Sequence, residues 1–174
     1  MAKKKTRKTN AMRRLDQLQQ EYSTATYSTD GGIDALHVAE SLGVPAARIF
    51  KTLVLEADGA NEGKTGGGSK DHFVAVVGAD HDLDLKKVAA HFGVKSVKLF
   101  GRKELKTLTG YVRGGCSPIG MKRQFPTVID NSAEGLDSIY VSAGEIGTQI
   151  ILAPAVLAEV TAADFANIRQ SVHH

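Results

Sequence analysis

A chain of 174 residues, 42% hydrophobic and 24% charged, is long enough to bury one ordinary core and too short for two. No apolar run approaches the roughly 20 residues that span a bilayer, no apolar leader is recognised at the N-terminus, and a single cysteine leaves no internal disulfide to form; a cytoplasmic protein is expected. The net charge of +3 is unevenly placed, with seven of the 22 basic residues and no acid in residues 1–14, MAKKKTRKTNAMRR. Residues 1–9 read as a basic flexible arm suited to a polyanion such as RNA, or as a solubilising tail, ahead of a mildly acidic body.

In chain order, Met12, Leu15, Leu18 and Tyr22 form one apolar stripe on a helix capped by Thr9 or Asn10. A short strand is expected near 25–28. GGIDALHVAESLG then places Ile33, Leu36, Ala39 and Leu42 on one helix face and ends on Gly43 as a left-handed cap, with Pro45 preventing continuation. KTLVLEA (51–57) and FVAVVGA (73–79) read as strands of a well-buried sheet, separated by a Gly/Lys/Asn/Ser-rich loop. DLKKVAAHFG (84–93) is a capped helix with Leu85, Val88, Ala89 and Phe92 inward, and 102–108 a second short helix. Strands are expected at 127–130, 138–141 and 148–153, followed by a polar C-terminal helix. Strands and helices do not alternate strictly, so the expected fold is α+β, one domain with a curved mixed sheet, barrel-like, around a pocket.

Several motifs carry less than they promise. DGANEGKT (58–65) resembles a phosphate loop, but Asp58 stands where glycine is needed and no helix follows to meet the phosphates. His72, His81, Asp82, Asp84 and His91 lack the helical spacing of a zinc enzyme, and Asp84 serves as a helix cap; no metal and no cofactor are expected. Cys116, in RGGCSPIG (113–120), could be a nucleophile on an exposed turn, or a small apolar filler. Gly114 and Gly115 can turn backbone N–H groups towards a bound carbonyl. Lys51 opens a strand that otherwise reads as core, so it must snorkel or bind something negative.

FKTLV (50–54), DLKKVA (84–89), TGYVRGGCSPIG (109–120), PTVIDNSA (126–133) and IYVSAGEIGTQIILAP (139–154) together resemble the YbaK/EbsC family of Cys-tRNA(Pro)/Cys-tRNA(Cys) deacylases. These are free-standing relatives of the editing domain inserted in bacterial prolyl-tRNA synthetases. The resemblance makes 10–170 one editing domain with 58–72 as an inserted hairpin loop. It implies trans-editing of mischarged Cys-tRNA(Pro), with aminoacyl-tRNA as substrate and prolyl-tRNA synthetase as a potential partner. It also implies catalytic roles for Lys51 and Gly114, and a substrate pocket that includes Tyr27, Thr52, Gly115, Ser117, Ser142 and Gln149. Gln149 stands where cysteine-specific members carry an acid, so the amide cannot pair with the substrate ammonium, and Glu145 is the nearby carboxylate that could compensate. The implied reaction is substrate-assisted: the cysteinyl thiol attacks its own ester and leaves as a cyclic thiolactone, so the protein need only orient and polarise. Two other readings stay open: a non-catalytic tRNA- or synthetase-binding module of the same fold, and a deacylase for another small residue such as alanine.

Overall fold

The computed structural model describes residues 8–57 and 72–171. The first seven residues of the basic arm and nearly all of the 58–72 insertion lie outside that range. Of the arm, Lys8 pairs with Asp16, and the Thr9 hydroxyl accepts from the Met12 amide at 3.2 Å. Both residues therefore belong to the start of α1 (Asn10–Gln17).

Among the described residues, five α-helices and eight strands form an α+β arrangement. Strands β2 (Phe50–Ala57) and β3 (His72–Gly78) pair antiparallel, with Phe50 opposite Gly78. β4 (Val97–Leu99) joins the outer side of β2; β5 (Thr127–Asp130) runs parallel to β3, and β8 (Asp164–Ala166) parallel to β5. The result is a five-stranded mixed sheet in the order β4-β2-β3-β5-β8. A second, antiparallel sheet, β1-β7-β6, is built from Ser23–Thr26, Thr148–Leu152 and Ile139–Ser142. A single bridge between Ile49 and Tyr140 joins the two sheets. Among the described residues there are two curved sheets and no closed barrel, which corrects the barrel-like expectation.

The continuous apolar runs of β2 and β3 arise because both faces are buried. Successive side chains of a strand point to opposite faces. Phe50, Val54, Val74 and Val76 therefore meet Ile139, Val141, Ile150 and Leu152 of the second sheet, together with Met12 and Leu15 of α1. Leu55, Phe73, Ala75 and Val77 instead meet Val88 and Ala89 of α3 (Leu85–Phe92). The helix signals on α3 held: Asp84 accepts from the Lys86 and Lys87 amides, and Gly93 closes it at φ +71°.

Four further expectations changed. Leu85 of α3, expected to face inward, is 37% exposed. The stripe of α1 ends at Leu15, because the helix stops at Gln17 and Tyr22 lies beyond it. In α2 (Ala35–Leu42) the inward residues are Val38 and Ala39, whereas Leu36 is 58% exposed and Ile33 precedes the helix. The helix after β7, α5 (Pro154–Thr161), is apolar rather than polar, with Leu157 in the core, and a strand follows it. β8 is held there by tertiary contacts that local propensity does not record.

Those contacts converge on Asp130, which is fully buried at the end of β5. Its carboxylate accepts from the Ile168 amide at 2.9 Å, the Ser132 amide at 3.1 Å and Arg169 Nη1 at 2.8 Å. Burial alone would raise its pKa, but the hydrogen bonds from Ser132, Ile168 and Arg169 outweigh it and hold the carboxyl below its ordinary value. A depressed folded-state pKa stabilises the fold above the unfolded value of about 3.9 and ceases to do so as pH falls through the folded value. Asp130→Asn is therefore expected to cost about 1–3 kcal/mol at pH 7, and the cost should shrink on acidification below about pH 4. Urea denaturation across pH checks this; a pH-independent difference would contradict it.

Candidate active site

Where the bridge at Ile49 ties the sheets together, β2 continues with Lys51 and Thr52. Beside it the second sheet ends with Ser142 on β6, directly opposite Gln149 on β7. Tyr27 follows β1 and is fixed by its amide, which donates to the Gly147 carbonyl at 3.0 Å. The segment 113–116 closes the opening from the other side. Together these enclose a cleft of about 510 Å³ lined by Tyr27, Lys51, Thr52, Gly114, Ser142 and Gln149, with Ile33, Asp34, Arg113 and Cys116 completing the wall. That volume suits a small-molecule group. A larger depression of about 1050 Å³ runs between α1 and β1 and contains none of those six residues.

Six of the eight predicted site residues thus meet in one place, and two do not. The Gly115 amide donates to the Val112 carbonyl at 2.9 Å, and a Cβ at Gly115 would lie 3.0 Å from the Ile146 nitrogen. Gly115 is therefore a packing position against the 145–147 turn, and its N–H is not available to a carbonyl. Ser117 is fully buried, with its hydroxyl accepting from the Ile119 amide at 3.3 Å, so it shapes the loop from behind. Glu145 does not replace the missing acid either: it accepts the Thr148 hydroxyl at 3.0 Å and faces the other depression.

Gly114 is required on two grounds. Its φ of +87° lies in the region that favours glycine, and a Cβ there would stand 2.6 Å from Ile33 Cδ1. Its amide has no hydrogen-bond partner among the described residues. Lys51 likewise forms no ion pair among the described residues, so a cation sits at the cleft with no protein counter-charge bound to it.

Three buried side-chain oxygens among the described residues have no hydrogen-bond partner: Tyr27 Oη, Thr52 Oγ1 and Gln149 Oε1. All three belong to this cleft. An unsatisfied buried polar group costs about 1–3 kcal/mol, so three in one place call for a partner, water or ligand, that the protein itself does not supply.

Cys116 is the remaining candidate nucleophile. It is buried, and burial pushes its thiol up to about 12 in spite of a hydrogen bond with Thr109. A thiol held that high supplies almost no thiolate near neutrality, so the filler reading holds. Cys116→Ala is expected to keep kcat within about threefold while losing about 1 kcal/mol of stability from the emptied volume. A folded but inactive variant would reinstate the nucleophile.

Sequence reasoning missed Ile33, Asp34 and Arg113. Ile33 was assigned to a helix face, yet it covers Gly114. Asp34 reads as a cap, and does accept from the His37 amide at 2.9 Å, but it also borders the cleft. Arg113, within the quoted loop, brings a second cation, this one exposed, to the rim.

The described residues thus form a two-sheet α+β domain with Lys51 and the left-handed Gly114 at one cleft. Residues 32–160 match the family described as the aminoacyl-tRNA editing domain, and the chain belongs to that family. EbsC of Enterococcus faecalis, whose name provisionally assigns it Cys-tRNA(Pro)/Cys-tRNA(Cys) deacylation, is 45% identical over 97% of this chain and 98% of its own length. The multifunctional Ser/Thr-tRNA deacylase ProXp-y of Escherichia coli is 27% identical over 90% of this chain and 89% of its own. A solved structure assigned provisionally as a trans-editing enzyme for prolyl tRNA synthetase has the same fold. It superposes with a TM-score of 0.78 over 95% of this chain and the whole of that one, at 20% identity.

Proposed function

We propose that this protein is a trans-editing deacylase that removes cysteine from mischarged tRNA(Pro), and from tRNA(Cys), through a substrate-assisted reaction in the cleft. One observation carries the reading: an unpaired lysine, an unpartnered glycine amide and three unpartnered oxygens share a cleft whose only thiol is protonated. Such a site can hold and polarise an ester but offers no thiolate of its own. The substrate thiol supplies it. The sulfur forms a bond to the ester carbonyl carbon, the carbon–oxygen ester bond breaks, the thiol proton ends on the departing 3′-oxygen, and tRNA and a cyclic thiolactone separate. The Gly114 amide donates to the carbonyl oxygen as charge develops there, and Lys51 holds the same end of the substrate by its charge. Orientation of an intramolecular attack supplies about 7–11 kcal/mol in favourable cases.

A polyanion is accommodated outside the cleft. Lys103 and Lys106 on α4 (Arg102–Thr109), together with Lys122 and Arg123, are all exposed. Lys122 Nζ donates to the Thr107 carbonyl at 3.3 Å, which joins the two segments, with the exposed Glu104 beside Lys122 and Arg123.

The test is a panel of purified Cys-, Ser-, Ala- and Pro-tRNA(Pro), followed by ester loss and mass spectrometry. Cys-tRNA should be cleaved fastest, with the thiolactone appearing before free cysteine. A second reading, Ser-tRNA deacylation, draws on the similarity to ProXp-y and on the neutral Gln149. It predicts comparable rates for Ser- and Cys-tRNA and direct release of the free amino acid. Loss of no ester at all would leave a non-catalytic binding module.

A further inference from the structure

We infer that the acceptor arm of the tRNA lies on the face formed by α4 and the segment 113–123, its phosphates neutralised by Lys103, Lys106, Arg113, Lys122 and Arg123, and not on the equally basic α3 side. This deepens the deacylase reading and takes from it the RNA end held in the cleft.

The charge of the chain is divided by position. Residues 85–123 hold ten basic residues and one acid, Glu104, whereas 15–84 hold four basic residues against twelve acids and 124–174 one against six. A basic block set in an acidic body is the electrostatic footprint of a polyanion site. Folding splits that block. α3, with the exposed Lys86, packs through Val88 and Ala89 on one face of the five-stranded sheet. α4 packs through Leu105 on the other, in the cluster that also holds Tyr111 and Cys116. The 113–116 wall of the cleft therefore shares a face with α4.

The cations on that face are joined to the mouth of the cleft. Arg113, exposed at the rim, follows Gly110, the C-cap of α4, by three residues. Lys122 is fixed at the same point: its amide donates to the Thr109 carbonyl at 3.0 Å, and a Cβ at Gly110 would stand 3.4 Å from its Cγ. A depression of about 570 Å³ separates α4 from Lys122 and Arg123, with Phe100, Leu108 and Glu104 also lining it. One carboxylate there stands against two cations, and Lys103 and Lys106 are exposed on α4 beside it.

An RNA strand esterified in the cleft must leave at its mouth, and the charges around the mouth decide which way it turns. The chain leading through α2 borders the cleft at Ile33 and Val38 and exposes Asp30 and Glu40. Glu145 is exposed on the turn packed behind Gly115. A polyanion is repelled from those sides and drawn over Arg113 onto α4.

The test uses the full chain and an uncharged RNA hairpin that reproduces an acceptor stem with its single-stranded 3′ end, so binding is read without turnover. Titrations over a range of salt give the slope of log K against log salt. Lys103→Gln with Lys106→Gln, and Lys122→Gln with Arg123→Gln, should each lower that slope by about 1–2, the loss of two phosphate contacts. Lys86→Gln with Lys95→Gln, which removes the same charge from the depression along α3, should leave it within about 0.5 of wild type. All three double variants should cleave the short ester 3′-O-cysteinyladenosine at the wild-type rate. Unchanged slopes in both α4-face variants, the result expected if the N-terminal basic residues carry binding alone, overturn the surface. Equal losses in all three variants, which report net charge only, overturn it too, as does a wild-type protein that leaves the hairpin unbound. Hairpin binding that depends on the α4 face in a protein that cleaves no ester instead defeats the deacylase reading and leaves an RNA-binding surface.

Discussion

Lys51→Ala is expected to lower kcat/KM for Cys-tRNA(Pro) by about 10²–10³, the scale seen when one preorganised electrostatic contact is removed from a reaction centre, and to leave the fold in place. The side chain is only half-buried, and none of the ion pairs among the described residues uses it. Its backbone remains in register opposite Val77 whatever the side chain. Lys51→Met, which preserves the stem, should be as inactive as alanine, because the charge and not the volume is at issue. The measurement is single-turnover deacylation alongside thermal melting. Activity within a few-fold of wild type in both variants would remove the lysine from the mechanism.

Gly114→Ala is expected to be nearly as damaging, by a different route. The added methyl meets Ile33 Cδ1 at 2.6 Å and sits on a backbone at φ +87°, a conformation costing about 1–2 kcal/mol for a residue with a Cβ. The Ile33 side chain can turn aside from the methyl, but the strain at φ +87° is relieved only by rotating the peptide that should face the ester carbonyl. A loss of about 10² in kcat is expected, with KM little changed. Ile33→Ala introduced into Gly114→Ala separates the causes: it removes the clash but not the strain, so it should restore stability more than turnover. Full recovery of kcat in the double variant would show that crowding, and not peptide orientation, was the defect.

The elements most legible in the sequence were those whose local chemistry agrees with their environment. α3 announces itself through Asp84 and Gly93, and the unbroken apolar runs of β2 and β3 signal burial on both faces. α2 misled for a reason tied to the site. Ile33, just before the helix, is exposed at the edge of the cleft, and Leu36 is exposed to solvent, so a periodicity that normally marks the core here marks an outer face. β4 and β8, three residues each, are too short to leave a pattern and exist through pairing with longer neighbours. At the site, Lys51 and Gly114 were suspicious from their own chemistry, but their joint role came from resemblance. The distinction between Gly114, which faces the cleft, and Gly115, which packs behind it, depends on which amide is already bonded, and no spacing rule encodes that. The same holds for Tyr27, Thr52 and Gln149, which are unremarkable in the chain and become a set only when β2, β7 and the segment after β1 converge.

The two short outer strands have a consequence for solubility. TLVL of β2 and FVAVV of β3 combine β-branched and apolar side chains with no charge or proline, the composition that seeds cross-β stacking when an edge is left open. Neither is an edge here. β4 pairs with Leu55–Ala57 at the end of β2 and carries Lys98, while β8 pairs with β5 on the far side of the sheet and opens with Asp164. Each offers an incoming chain only three residues of ladder, flanked by a charge. Small strands that add little to the core thus act as gatekeepers, and damage to either would show first as self-association under mild heating rather than as lost catalysis.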